Sequence, residues 1–148
     1  MTTVRDLLKE RQDKNVWSLT PDMTVLDALK SMADHNVGAM PVMDGDCLAG
    51  VYSERDYARH VVVKGAYGND ALLRDVMVRD VITVGPDESL ENCMRIMSEN
   101  HIRHLPVVED CKLIGHFSIR DLMQWFIDQQ KHRIDNLQHF IEGTGYGR

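Results

Sequence analysis

Gly50-Val51-Tyr52-Ser53-Glu54-Arg55-Asp56 and Gly115-His116-Phe117-Ser118-Ile119-Arg120-Asp121 are two copies of one phrase, 65 positions apart. Extended outward, the match runs without a gap from residues 16–57 onto residues 81–122. Pro21-Asp22 returns as Pro86-Asp87, Met32 as Met97, Pro41-Val42 as Pro106-Val107, and Leu48-Ala49-Gly50 as Leu113-Ile114-Gly115. About a quarter of the paired positions are identical, and most others keep their apolar or polar class. Two copies at so long a period do not make a solenoid. They predict two equivalent half-domains closing on each other, with any ligand site duplicated near a pseudo-twofold axis.

The phrase admits two readings. A serine at a helix N-cap with a carboxylate three residues later is a variant of the capping box, complete without any ligand. The same parts also suit a ribose-phosphate. A helix N-terminus offers free N–H groups and positive partial charge to a phosphate, and Ser53 or Ser118 adds a hydroxyl. Asp56 or Asp121, one turn in, accepts from both ribose hydroxyls. Gly50 or Gly115 lets a ligand or another backbone come close.

Each copy has the same order of elements. A Pro-Asp turn leads to Thr24 or Ser89, good N-cap residues. A helix of about a dozen residues follows, with Val25, Leu26, Leu29, Met32 and Ala33 on one apolar face and Leu90, Cys93, Met94 and Met97 on its counterpart. Asn36-Val37-Gly38 and Asn100-His101 end these helices. The strands Ala39–Met43 and Leu48–Tyr52, like His104–Val108 and Leu113–Phe117, then form a hairpin across a polar turn. A second helix starts at Ser53 or Ser118, and a short strand is expected before each copy at 16–19 and 81–84. The fold class is α+β, with two β-α-β-β-α repeats packed about the axis.

The expected division is an N-terminal segment 1–15 packing on the module, repeat 1 at 16–62, a linker 63–80, repeat 2 at 81–125, and a C-terminal helix and tail 126–148. The last helix carries an apolar stripe of Phe126, Ile127, Ile134, Leu137 and Ile141, which either packs on the module or meets a second copy.

At 148 residues, 43% hydrophobic and 27% charged, the chain predicts one compact domain with a substantial core. A net charge of −6 and a pI near 5.6 argue against nucleic-acid and anionic-membrane binding, which need a basic face. The first residues lack the apolar core of a signal peptide and no stretch is long enough to span a bilayer, so a cytoplasmic location is expected. Cys47, Cys93 and Cys111 are odd in number and without C-x-x-C spacing, which argues against a disulfide framework or zinc finger. A redox role for Cys47 and Cys111, both in hairpin turns, stays open. His101 and His104 straddle a helix-to-strand boundary without a third ligand, so no metal site is expected. No P-loop, G-x-S-x-G elbow or H-E-x-x-H is present, and no catalytic residue is assigned.

The duplication, the two G-h-h-S-x-x-D junctions and the segments Val37-Gly38-Ala39-Met40-Pro41-Val42 and Ile102-Arg103-His104-Leu105-Pro106-Val107 together resemble a pair of cystathionine-β-synthase (CBS) domains, a Bateman module of the small bacterial two-CBS type. The resemblance covers about residues 1–125. It implies two clefts that bind adenosine ligands: AMP, ADP, ATP, NAD or S-adenosylmethionine. In one, Ser53, Arg55 and Asp56 would hold phosphate and ribose while Val81, Ile82, Ile102, Arg103 and Pro106 wall the base. In the other, Ser118, Arg120 and Asp121 would face Val16, Trp17, Val37, Gly38, Ala39 and Pro41. The copies differ where Gly38-Ala39 faces Arg103-His104 and where Val51 faces His116. An Arg-His pair suits additional phosphate charge, favouring anionic ligands over S-adenosylmethionine. The resemblance further implies a non-catalytic regulatory module, a homodimer, and a regulated protein reached in trans. The contrasting reading is a structural or partner-binding protein with vestigial clefts.

Overall fold

A computed structural model of the chain describes residues 2–10 and 17–143. Repeat 1 holds α2 (Val25–His35), the hairpin β1 (Ala39–Asp44) and β2 (Cys47–Ser53), and α3 (Glu54–Tyr57), which continues as a π-helical stretch Ala58–Val63. Repeat 2 holds α5 (Leu90–Asn100), β3 (His104–Glu109), β4 (Lys112–Ser118) and α6 (Ile119–Gly143). Two short helices precede the repeats: α1 (Val4–Glu10) and α4 (Leu73–Val76).

The expected helices form for the expected reasons. Thr24 Oγ1 accepts from Asp27 N at 3.1 Å and Ser89 Oγ from Asn92 N at 3.1 Å, capping α2 and α5. Both helices end on a left-handed residue, Asn36 (φ 54°) and His101 (φ 54°). Val25, Ala28 and Met32 are buried on α2, and Leu90, Cys93 and Met97 on α5. Leu26 and Ala33, expected on the apolar face, sit on its solvent side.

The two hairpins are register-for-register copies. Ala39 faces Ser53 as His104 faces Ser118, and both carry a bulge at the same place, Val42/Met43 and Val107/Val108. The four strands make one sheet of order β1-β2-β4-β3, and among the described residues the ladder between its halves is the single pairing of Cys47 with Lys112. The strands expected before each repeat shrink to single parallel bridges, Leu19 to Val42 and Val84 to Val107. Leu19 N donates to Pro41 O and Leu19 O accepts from Met43 N, both at 2.8 Å. Pro41 has no N–H to carry the ladder back toward Trp17, and Pro21 has none to carry it onward.

The capping of the cores is exchanged. α1, which precedes repeat 1, buries Val4 and Leu7 in the core of repeat 2, with Val84, Leu90, Cys93, Met97, Leu105, Val107, Phe117 and Leu122. α4, which precedes repeat 2, buries Leu73 in the core of repeat 1, joined by Met77, with Leu19, Val25, Ala28, Met32, Met40, Val42 and Tyr52. Val4-Arg5-Asp6-Leu7-Leu8 and Leu73-Arg74-Asp75-Val76-Met77 are thus copies at an offset of 69. Their ion pairs correspond as well: Arg5 with Asp87 (3.4 Å) and Glu109 (3.1 Å), Arg74 with Asp22. These pairs are exposed, so Arg5→Ala and Arg74→Ala are each expected to cost less than about 1 kcal/mol in urea unfolding.

The twin glycines are explained by the same exchange. A Cβ on Gly50 would lie 2.6 Å from Val78 O, and one on Gly115 would lie 3.0 Å from a Leu8 methyl. In both copies the close neighbour is the exchanged segment.

Cys47 and Cys111 form a disulfide with Cα atoms 5.0 Å apart, contrary to the expectation drawn from their number and spacing. The pseudo-twofold brings the two hairpin turns side by side, an adjacency that sequence spacing does not reveal. Cys93 is the free cysteine, and burial pushes its thiol up to about 12.

Every side chain of α6 from 127 to 139 is exposed. Met123, Ile127, Ile134, Leu137 and Ile141 are all exposed. Among the described residues no helix is long and apolar enough to cross a membrane.

Candidate functional site: a cavity across the pseudo-twofold

The starts of β1 and β3, the residues before them and the end of the linker enclose a cavity of about 540 Å³. Its walls are Trp17, Asn36, Val37, Gly38, Ala39, Met40, Pro41, Val51, Val78, Asp80, Val81, Ile82, Ile102, His104, Pro106, Leu113 and His116. That volume and the predominance of apolar side chains match a small-molecule site. The walls come in symmetry-related pairs: Trp17 with Ile82, Val37 with Ile102, Ala39 with His104, Pro41 with Pro106, Val51 with His116. The wall residues anticipated for two clefts therefore share one continuous space.

The polar part of each expected site sits just outside this lining. Ser53 Oγ donates to Asp56 Oδ2 at 2.8 Å and accepts from Asp56 N at 3.1 Å, while Ser53 N donates to Asp56 Oδ2 at 3.0 Å. Ser118 repeats the arrangement, its N–H donating to Asp121 Oδ2 at 2.8 Å and its Oγ accepting from Asp121 N at 3.1 Å. Both phrases are thus reciprocal capping boxes. Each is tied to the wall of its own repeat: Glu54 N donates to Gly38 O at 2.9 Å, and Ile119 N to Arg103 O at 2.8 Å.

Of the expected site residues, the cavity gathers Trp17, Val37, Gly38, Ala39, Pro41, Val51, Val81, Ile82, Ile102, His104, Pro106 and His116. Ser53, Asp56, Ser118 and Asp121 are half-buried beside it, and the side chains of Arg55, Arg103 and Arg120 are exposed outside its lining. Val16 lies outside the described residues. Trp17 is 37% exposed, and its ring lies 4.5 Å from that of His35.

Asn36, Met40, Val78, Asp80 and Leu113 complete the wall without having been expected. Val78 and Asp80 belong to the linker, outside the aligned copies; Val78 reaches the cavity because its N–H and C=O bond Val51 at 3.0 and 2.9 Å. Asn36 had a signal, since asparagine before Val-Gly at a helix end marks a left-handed cap. Charge in the lining is sparse: one carboxylate, Asp80, and two imidazoles, His104 and His116. Among the described residues no cluster of three or more His, Cys, Asp or Glu is placed to hold a metal, and α5 ends at Asn100 with His101 as its left-handed cap, so His101 and His104 do not share a helical face.

The CBS domain family model matches residues 4–63 and 73–128, so each match takes in the short helix that precedes its repeat. The chain is 36% identical over 154 residues to the mitochondrial CBS domain-containing protein CBSX3 of Arabidopsis thaliana, covering 98% of this chain and 74% of that protein. A solved CBS-domain protein from Burkholderia ambifaria superposes with a TM-score of 0.78 at 40% identity, over 87% of this chain and 96% of that one. The CBS domain pair of protein MJ0100, solved in complex with 5-methylthioadenosine and S-adenosyl-L-methionine, superposes with a TM-score of 0.72 at 25% identity, over 86% and 98%. The duplicated helix-hairpin-helix, the exchanged caps and these matches over both halves have one conclusion: the chain belongs to the CBS domain family and is a pair of CBS domains.

Proposed function

We propose that this CBS pair is a non-catalytic sensor of an adenosine ligand, AMP, ADP, ATP or NAD, held in the cavity between its repeats. The observation that carries the reading is the 540 Å³ apolar cavity built from symmetry-related residues of both halves. A ligand there touches both repeats at once, so its binding energy depends on their relative placement and shifts that placement. The apolar walls suit the faces of a base, with Trp17 as a stacking surface. Asp56 Oδ2 is engaged by Ser53, which leaves Oδ1 for a ribose hydroxyl. The bound adenosines of the MJ0100 pair support the ligand class.

The test is a thermal-shift screen with AMP, ADP, ATP, NAD and S-adenosylmethionine. Ligand at about 100 times its Kd stabilises by about 2.7 kcal/mol, expected as a rise of about 5–10 °C in Tm. No shift with any of them favours the second reading, a partner-binding protein with vestigial clefts. The closed capping boxes, which satisfy Ser53 and Asp56 internally, are the observation on that side.

Arg103 stands beside the cavity through its carbonyl while its side chain is exposed, the placement of a group that meets phosphates leaving the cavity. Arg103→Ala is expected to weaken ATP binding about tenfold and adenosine binding less than twofold by calorimetry. Equal effects on the two would exclude a phosphate role.

The module acts in trans on a regulated protein, in the cytoplasm, as a homodimer. Support for the dimer comes from α6. Met123, Ile127, Ile134, Leu137 and Ile141 follow the alternating four- and three-residue spacing of a coiled-coil seam, interrupted by Gln130. Light scattering of the full chain is expected to give twice the mass of a version ending at Trp125. Equal masses would remove α6 from the interface.

A further inference from the structure

We propose that the Cys47–Cys111 disulfide is a reversible redox bolt across the pseudo-twofold, whose reduction by a dithiol loosens the two repeats and weakens ligand binding in the cavity between them. Three observations carry this. First, the bolt sits where the two half-sheets are otherwise thinly joined. Each repeat has its own buried core, and their strands meet at one pairing, Cys47 with Lys112, flanked by a long Leu48 N to Cys111 O hydrogen bond of 3.4 Å. Second, the bolt adjoins the cavity. Leu113, two residues past Cys111, lines it, and Val51, four residues past Cys47, lines it from the other half. Third, the bolt is reachable. Cys111 is exposed and Cys47 half-buried, and a polar recess of about 280 Å³ lies beside them, walled by Ser18, Met43, Gly45, Asp46, Lys112 and Leu113.

The chemistry is thiol–disulfide exchange. A thiolate of the dithiol attacks the sulfur of Cys111, the more exposed residue of the pair, forming a mixed disulfide and releasing Cys47 as thiolate. The second thiol of the reductant then closes its own disulfide and releases Cys111. The dithiol loses two electrons, and the cysteines gain two electrons and two protons. Cys93 takes no part: it is buried and its thiol is held protonated. Reoxidation by a disulfide-bearing partner reverses each step.

Breaking a link between residues 64 positions apart frees the unfolded chain and removes the main tie between the half-sheets. With dithiothreitol as the probe, the ligand-free protein is expected to lose about 10 °C in Tm. Hydrogen exchange should quicken at least threefold in residues 47–53 and 112–118. The Cys47→Ser/Cys111→Ser protein should match the reduced wild type and ignore dithiothreitol. Unchanged Tm and exchange on reduction would overturn the bolt, as would a response that persists in the double variant.

The effect on the cavity rests on the adenosine reading and is measured separately, with AMP by calorimetry. About a fivefold weaker Kd in the reduced protein supports the gate, and equal Kd values in both states overturn it. If AMP and the other adenosine ligands bind neither state while Tm and exchange still respond, the bolt holds and the adenosine reading falls.

Discussion

Leu73→Ala is expected to lower stability by about 2–5 kcal/mol and to loosen the repeat that lies before it in the chain, not the one it introduces. Leu73 is fully buried among Leu19, Val25, Met32 and Tyr52, all of repeat 1. Native-state hydrogen exchange should therefore speed up across residues 25–53 and stay near wild type across 90–118. Val4→Ala should do the reverse at a cost of about 2 kcal/mol, because Val4 is fully buried in the core of repeat 2 and its N–H donates to Glu88 O at 2.9 Å. Faster exchange in residues 90–118 from Leu73→Ala would mean that the caps are not exchanged.

Gly50→Ala should cost about 3 kcal/mol, although it adds a single methyl group. The added carbon would sit 2.6 Å from a backbone oxygen, Val78 O, and 2.9 Å from the Met77 sulfur. Backbone cannot swing aside as a side-chain tip can, so the paired Val51–Val78 hydrogen bonds would have to open. Gly115→Ala meets only the flexible end of Leu8 and should cost less than about 1 kcal/mol. Gly38→Ala meets nothing within 4 Å and should be close to neutral for stability. Urea midpoints for the three proteins check the order; a cheap Gly50→Ala would show that the linker can retreat from β2.

Most of the fold could be read from local chemistry repeated twice. Thr24 and Ser89 as caps, Asn36 and His101 as stops, and the alternation in each hairpin all act over a few residues, so the sequence pattern carries them. What escaped was long-range. The exchanged caps keep only Arg-Asp in common and sit at an offset of 69, not 65, so a scan at fixed offset passes over them. The disulfide depends on two turns meeting across the axis, which neither turn encodes alone. Val78 and Asp80 join the cavity from the linker, where the duplication supplies no counterpart to compare.

The site was less legible. The wall residues were named through the family resemblance and not from local chemistry, and Met40, Val78 and Leu113 were missed even so. The merging of the walls into one space follows from how the halves face each other, a property of packing. The serine-aspartate phrase was read both as a capping box and as a ribose clamp, and the hydrogen bonds of the box are present in both copies.

The exchanged caps also set an order of assembly at the ribosome. Repeat 1 has every piece of its core once residue 77 has emerged. Repeat 2 instead closes on α1, made before repeat 1, whose Arg5 meets Asp87 across 82 positions of chain. At about 5–20 residues per second, α1 waits on the order of ten seconds for its berth. A helix made before either repeat is thus the keystone of the half that folds last.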